Sequence, residues 1–277
     1  MPPGRLLVCA TPIGNLTDVT ERLRDSFAAA DVVFAEDTRR TAKLLTHLDV
    51  HVKTVSLFAG NEQSRTPQLV DAVAAGKTVV LVSDAGMPTI SDPGAAAIRA
   101  VRAAGHEVTV IPGPSAVSNA LALSGFGGDR FVFEGFLPRK GRERTARLDS
   151  ISAEHRAVVL FASPNRLAAD LTDLASHCGG DREVLVAREM TKLHEESWLG
   201  SLVTAADHWS GTVKGEVTLV LAPVEETPGS PSDAIARARQ LVAGGVSLSE
   251  AAREVSGMTG VPKRTIYQAL LEAQESS

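Results

Sequence analysis

The chain has 277 residues, 44% of them hydrophobic and 22% charged, with a formal net charge of −5. That length suits two modest domains with a short appendage, the apolar content excludes a disordered chain, and the acidic balance weighs against a wholly basic nucleic-acid binder. No apolar run approaches the ~20 residues of a membrane span, and the longest early one, residues 6–10, is too short for a signal peptide, so a soluble, cytoplasmic protein is expected.

The first half alternates β-branched runs with helical stretches. Strands are predicted over residues 6–10, 32–35, 54–57, 78–82 and 107–111, with helices over 16–30, 39–48, 66–75 and 93–104. Strands that read as near-continuous apolar runs between helices predict a largely parallel sheet covered on both faces. After Gly125-Phe126-Gly127-Gly128, a natural hinge, come strands over 131–133, 157–162, 183–187 and 216–222 and helices over 142–151, 165–177 and 204–210. Pro223 to Ser232 holds three prolines, a glycine and two acids and reads as a linker. Beyond it three short helices are predicted, over 233–243, 248–256 and 262–273. The expected pieces are residues 1–124, 125–224 and 233–277. Aromatics are only 4%, so the cores must be aliphatic. Cys9 and Cys178 lack a C-x-x-C partner and read as inert thiols in a reducing compartment.

In open α/β sheets ligands bind beyond the carboxyl ends of the strands, so the loops there carry the argument. Thr11-Pro12-Ile13-Gly14-Asn15-Leu16 follows the first strand. It is neither G-x-G-x-x-G nor a P-loop; it reads as a stiff turn into a helix, ordinary or ligand-bearing. The segment Ser83-Asp84-Ala85-Gly86-Met87-Pro88-Thr89-Ile90-Ser91-Asp92-Pro93-Gly94 follows the fourth strand. Its small residues let a ligand approach the backbone and its prolines fix the path, while a carboxylate there suits an ammonium or a ribose hydroxyl. Asp92 reads as the cap of a helix opening at Pro93. After the fifth strand Pro112-Gly113-Pro114-Ser115 leads into a helix. Val117 breaks the G-x-S-x-G of a nucleophile elbow, so Ser115 reads as a cap or ligand contact.

The segment from Arg139 to Arg147 carries five cations and one acid in nine residues, beside the strand-end sequence Phe133-Glu134-Gly135-Phe136-Leu137-Pro138. A charge run of this kind is a solvated face or a phosphate contact; its place in a Pro/Gly loop favours phosphate, with Arg139, Lys140, Arg142 and Arg144 as the candidates. The histidines are scattered and no metal-ligand pattern is present, so no metal is expected. Ser247-Leu248-Ser249-Glu250 opens one C-terminal helix, Gly257-Met258-Thr259-Gly260 breaks it, and Lys263 and Arg264 open the next. The arrangement reads as a helix-turn-helix whose last helix contacts nucleic acid, or as a helical cap packed on the body.

Taken together these motifs resemble the bacterial 16S ribosomal RNA cytidine 2′-O-methyltransferases of the RsmI type, within the tetrapyrrole-methylase-like superfamily. The resemblance is carried by residues 10–16, by Ala35-Glu36-Asp37-Thr38-Arg39, by Ser83 through Gly94, by Ile111-Pro112-Gly113-Pro114-Ser115, by Phe133 through Lys140, and by Ala187-Arg188-Glu189-Met190-Thr191-Lys192. It implies an α/β fold of two αβα lobes with S-adenosyl-L-methionine in the cleft between them, a small C-terminal helical domain, and a homodimer. It implies 16S ribosomal RNA of the small subunit as partner. Related tetrapyrrole methylases hold the cofactor with the loops after the fourth and fifth strands. The candidate cofactor-binding residues are therefore Pro12, Gly14, Ser83, Asp84, Ala85, Gly86, Pro88, Pro112, Gly113 and Ser115, with Ala162 and Gly215 completing the pocket from the second lobe. The chain departs from the family at Leu57-Phe58-Ala59-Gly60-Asn61-Glu62 and Pro164-Asn165-Arg166, where histidines are often found.

Methyl transfer from a sulfonium needs an aligned nucleophile, and a ribose hydroxyl gains from a general base. Glu36 and Asp37 are the candidates, with an ion pair to Arg39 as the alternative use of one of them. Two rivals remain. A tetrapyrrole methylase shares fold and cofactor, but the cations at 139–147 and the C-terminal helices fit RNA better. A non-enzymatic nucleic-acid binder leaves the four strand-end loops unexplained.

Overall fold

A computed structural model describes residues 3–224 and 230–275. The chain forms two compact units, Met1–Ala222 and Pro223–Ser277.

The larger unit contains two sheets. In the first, β1 (Arg5–Cys9), β2 (Val32–Ala35), β3 (Thr54–Ser56), β4 (Thr78–Val82) and β5 (Glu107–Ile111) pair in the order β3-β2-β4-β1-β5. Every pair is parallel. The four helices between the strands are α1 (Glu21–Ala28), α2 (Thr38–His47), α3 (Glu62–Ala74) and α4 (Ala95–Ala103). Successive side chains of a strand point to opposite faces, and here both faces are dry. Leu7, Cys9, Val80 and Val82 meet Leu23 and Phe27 of α1 and Leu44 and Leu45 of α2. Leu6, Val8, Val79 and Leu81 meet Leu69 and Val73 of α3 and Ala97 and Val101 of α4. Each buried Val, Leu or Phe side chain among them contributes about 1.5–3 kcal/mol by leaving water. Burial pushes the Cys9 thiol up to about 12, so it is an inert core group.

Two predicted helices change shape. Residues 16–30 form a short 3-10 turn, Leu16–Asp18, and then α1, because Asn15 and Thr20 each cap a start: Thr17 N–H donates to Asn15 and Leu23 N–H to Thr20. Helix α3 begins at Glu62 rather than at 66 and carries Pro67 in its second turn, where the ring costs one backbone hydrogen bond.

In the second sheet, β6 (Phe131–Phe136), β7 (Ala157–Ala162), β8 (Glu183–Arg188), β9 (Glu196–Ser201) and β10 (Val217–Leu221) pair in the order β6-β7-β10-β8-β9. Only β6 and β7 are parallel. Helices α6 (Arg142–Ser152), α7 (Leu167–Cys178) and α8 (Leu202–His208) cover one face, with Leu148, Leu171 and Leu202 against Val158, Leu160, Val186 and Leu219. The other face is covered by α5 (Ala116–Ser124), whose Val117, Ala120 and Leu121 pack on Val159, Leu185, Ala187 and Val220. So α5 leaves the first sheet and packs on the second, which fixes the loop at Ser115 between the two.

In the smaller unit α9 (Pro231–Ala243), α10 (Leu248–Thr259) and α11 (Lys263–Glu275) enclose their own core of Ala234, Ala238, Ala252, Val255, Val261, Ile266 and Leu270. Ser247 caps α10 by accepting from Glu250 N–H and donating to Glu250 Oε2, at 3.3 and 2.7 Å. Gly260, at φ 67°, ends it. The predicted linker falls partly on residues 225–229, outside the described residues. No helix among the described residues is long and apolar enough to cross a membrane.

Candidate active site

Strands β1 and β4 are neighbours, yet α1 after β1 and α4 after β4 lie on opposite faces of the sheet. Such a divergence opens a crevice at the carboxyl ends of the strands. The loops there are bonded to one another. Thr11 and Gly86 exchange backbone hydrogen bonds at 2.9 and 3.0 Å, and Thr11 Oγ1 donates to Ser83 O at 3.3 Å. Gly86 sits at φ 75°, a conformation that suits glycine. Asp84 N–H donates to Glu36 Oε2 at 3.3 Å, and Asp37 N–H donates to Asp84 Oδ1 at 2.9 Å. The loops after β1, β2 and β4 are thus one framework.

That framework forms one side of a cavity of about 440 Å³, within the ~300–1,000 Å³ of small-molecule sites. The first sheet contributes Ile13, Glu36, Arg40, residues 84–87 and 90–92, and Ser115; the second contributes Phe136, residues 161–164 and residues 215–218. Apolar walls come from Ile13, Met87, Ile90, Phe136, Phe161 and Val217. Four carboxylates, Glu36, Asp84, Asp92 and Glu216, face one guanidinium, Arg40, whose Nη1 is 3.6 Å from Asp84 Oδ2. Burial, then the charges of Glu36, Asp84 and Glu216, push the Asp92 carboxyl up to about 6. Burial also raises Glu36, and the charge of Asp84 adds to it.

The segments that bear lining residues hold four non-glycine residues in the left-handed region, Thr89 and Ser91 in the loop after β4 and Glu189 and Thr191 after β8, at φ 76°, 65°, 51° and 67°, and of these Ser91 lines the cavity. Such residues cost about 1–3 kcal/mol each and collect at ligand sites. Thr191 Oγ1 accepts from Asn15 N–H at 3.1 Å, which joins the rims of the two lobes. Glu189 Oε1 accepts from Lys192 Nζ at 2.7 Å and from Glu216 N–H at 2.9 Å. Gly215 lies against this knot at φ 94°, where a Cβ would overlap the Glu189 carboxyl.

Residues 5–206 match the model of the tetrapyrrole (corrin/porphyrin) methylases, and residues 229–274 match that of the RsmI C-terminal HTH domain. A ribosomal RNA small subunit methyltransferase I of Mycobacterium tuberculosis is 45% identical, over 100% of this chain and 98% of its own. One from a Synechocystis species is 42% identical, over 98% and 99%. The chain belongs to the tetrapyrrole methylase family, in its ribosomal RNA small subunit methyltransferase I branch. Among solved structures, a uroporphyrin-III C-methyl transferase from Thermus thermophilus, in complex with S-adenyl homocysteine, superposes with a TM-score of 0.56 over 78% of this chain and 96% of its own. At 16% identity that likeness concerns the fold alone.

The methylase's cavity brings together Asp84, Ala85, Gly86, Ser115, Ala162 and Gly215 from the sequence-predicted set. Pro12, Gly14 and Ser83 line a smaller neighbouring cavity, and Pro88, Pro112 and Gly113 line neither. A Cβ on Gly113 would meet Ala10 Cβ at 3.0 Å, so that glycine permits close packing on the end of β1. Ser115 is the residue before α5 but makes no side-chain cap bond. Glu36 lines the cavity. Asp37 does not: its carboxylate caps α2 through Arg39 N–H at 2.8 Å and grips the Arg39 side chain at 3.0 and 2.7 Å. The Arg39 guanidinium holds it well below the usual carboxylate range.

Asp92 corrects its sequence reading. It caps nothing, because α4 starts at Ala95 after Gly94 and not at Pro93. The cap is Glu62 Oε1, which accepts from Gly94 N–H and Ala96 N–H, both at 3.0 Å. Asp92 instead lines the cavity, as does Glu216, which belongs to the second-lobe strand end expected to complete the pocket and whose carboxylate pairs with Lys192 at 3.0 Å.

Among the cations, Arg139, Lys140 and Arg142 are exposed. Arg144 is buried, with its guanidinium on Asp170 at 2.8 Å, Asp173 at 2.8 and 2.6 Å, and Pro138 O at 2.9 Å. Its donors are spent inside the lobe, so it departs from the phosphate-contact reading. Lys263 and Arg264 are exposed at the start of α11, where Lys263 Nζ reaches Ser249 Oγ at 3.2 Å.

Proposed function

We propose that this chain methylates 16S ribosomal RNA of the small ribosomal subunit at the 2′-hydroxyl of a cytidine, using S-adenosyl-L-methionine. The observation that carries the reading is the convergence of strand-end segments from both sheets on one acid-rich cavity, in a chain similar over its whole length to ribosomal RNA small subunit methyltransferases I. The cavity's residues suit the cofactor. Four carboxylates against one guanidinium favour a net positive ligand, Phe136, Phe161 and Ile90 offer apolar walls to a flat base, and Ala85, Gly86 and Gly215 leave backbone groups accessible.

When bound, S-adenosylmethionine supplies an electrophilic methyl group on a positively charged sulfur, which leaves as a neutral thioether as the methyl joins the acceptor oxygen. Glu36 accepts the hydroxyl proton: it lines the cavity, and its raised affinity for a proton suits a base that must take one from a weak acid. Asp84 positions Glu36 through its backbone N–H. Arg139, Lys140, Arg142, Lys263 and Arg264 contact RNA phosphates, sequence-independent contacts that position the strand. The working pieces are residues 1–124, 125–224 and 233–277, and the protein acts in the cytoplasm as a homodimer, as its resemblance to the family implies.

Calorimetry with S-adenosylmethionine, followed by label transfer to small subunits, free 16S RNA and a tetrapyrrole in parallel, tests the reading. Transfer to small subunits is the expected result; transfer to the tetrapyrrole alone overturns it in favour of the rival of the same fold.

A further inference from the structure

A second cavity, about 290 Å³, adjoins the first. The two share Ile13, Arg40, Asp84, Ala85 and Glu216 as a common wall. The smaller one is walled by three cations from two elements. Arg40 and Lys43 are three residues apart on α2 and so share a face. Lys192 comes from the second lobe. Its Nζ is held by Glu189 and Glu216 at 2.7 and 3.0 Å, and its stem passes over Gly14, where a Cβ would overlap Lys192 Cγ. Gly14 is therefore the residue that lets the lysine reach across. Lys43 is exposed and has no carboxylate partner among the described residues. Two carboxylates of the shared wall, Asp84 and Glu216, each already pair with one of these cations, at 3.6 Å to Arg40 and 3.0 Å to Lys192, so Lys43 carries the excess positive charge that marks this concavity as a place for an anion.

We infer that this smaller cavity seats the acceptor nucleotide of the RNA, with its phosphate on Arg40, Lys43 and Lys192 and its ribose at the wall shared with the cofactor cavity. The inference rests on the RNA reading above and adds where the strand enters. A phosphodiester fits the trio because each oxygen takes a charge-assisted hydrogen bond. A nucleotide anchored there brings its sugar to Asp84 and Ala85, next to Glu36. A basic slot with no cofactor wall would serve any anion; the shared wall makes this one specific to a group that must be presented to the methyl donor.

The test uses the full-length protein with Lys43→Glu, and Lys77→Glu as a charge-matched control on an exposed residue just before β4, at the opposite end of that strand. Small-subunit methylation kinetics, the salt dependence of small-subunit binding, S-adenosylmethionine affinity and melting temperature are measured for each. Lys43→Glu is expected to raise KM on the order of tenfold, to make the log–log salt slope shallower by about 1, and to leave cofactor affinity and melting unchanged. An unchanged KM and slope, or an equal loss in Lys77→Glu, overturns the assignment while the parent remains active. A parent that neither binds nor methylates small subunits overturns the RNA reading itself, and this inference with it.

Discussion

Glu62 holds Gly94 across 32 positions of the sequence: its Oε1 accepts the N–H groups of Gly94 and Ala96 at 3.0 Å each and closes the amino end of α4. The same bonds anchor the end of the loop over residues 83–94, which forms one wall of the main cavity. Glu62→Ala removes the cap and should cost about 0.5–2 kcal/mol of stability and weaken S-adenosylmethionine binding. Glu62→Gln keeps an oxygen at that place and should recover most of both. Melting and calorimetry on the two variants decide it; a Glu62→Ala protein equal to the parent in both would show that the loop holds its shape alone.

Asp92 gives the cavity a pH dependence. Its carboxyl titrates at about 6 in the folded chain, against ~3.9 for an ordinary aspartate. The folded state keeps the proton longer, so this group's contribution to stability is complete below ~3.9 and is lost as pH rises through about 6. A cationic ligand favours the ionised form. The affinity for S-adenosylmethionine relative to S-adenosylhomocysteine, which lacks the sulfonium charge, should therefore rise as pH increases through about 6, and Asp92→Asn should flatten that rise. A ratio independent of pH in the parent, or a rise of the same size in Asp92→Asn, contradicts the assignment.

The cations at 139–147 separate into two kinds. Arg144→Ala leaves the Asp170 carboxylate, 6% exposed, without its main partner, and breaking a buried pair costs about 3–5 kcal/mol. Replacing Arg139, Lys140 and Arg142 together with alanine should leave melting unchanged and make the salt slope of RNA binding shallower by up to ~0.9 for each phosphate that is no longer neutralised. Denaturant unfolding and binding titrations at several salt concentrations check both halves. A stable Arg144→Ala protein with a reduced salt slope would return that arginine to the RNA surface.

Much of the first sheet was legible because parallel strands covered on both faces announce themselves as apolar runs: all five strands fall where the sequence places them, with β1 shifted by one residue and β3 one residue shorter. The strand β9 was not legible. Its Glu-Ser-Trp-Leu-Gly-Ser has no β-branched residue, and as an edge strand it alternates half-buried and exposed positions over most of its length. Loop chemistry was legible as a location, since the segments after β1, β2, β4 and β5 do meet, but not as roles. Whether Asp92 caps a helix or faces a cavity depends on Glu62, a residue distant in sequence that takes the cap. For Asp37 the structure shows the alternative that the sequence left open, the ion pair with Arg39, and Arg144 likewise turns inward: a carboxylate or guanidinium reads alike in sequence whether its bonds are turned inward or held out to a ligand.

The position of the transferred methyl group is the most direct check on the function. A 2′-O-methyl group removes the hydroxyl that attacks the adjacent phosphodiester in alkali, so the linkage after a methylated ribose survives hydrolysis. Small subunits lacking this modification are incubated with the protein and methyl-labelled S-adenosylmethionine, and the 16S RNA is digested in alkali. The expected result is one labelled, alkali-resistant dinucleotide with cytidine at its 5′ side, formed on the order of 10²-fold more slowly by Glu36→Gln. Label in alkali-labile mononucleotides, which marks a base, or no label in RNA while the cofactor still binds, would contradict it.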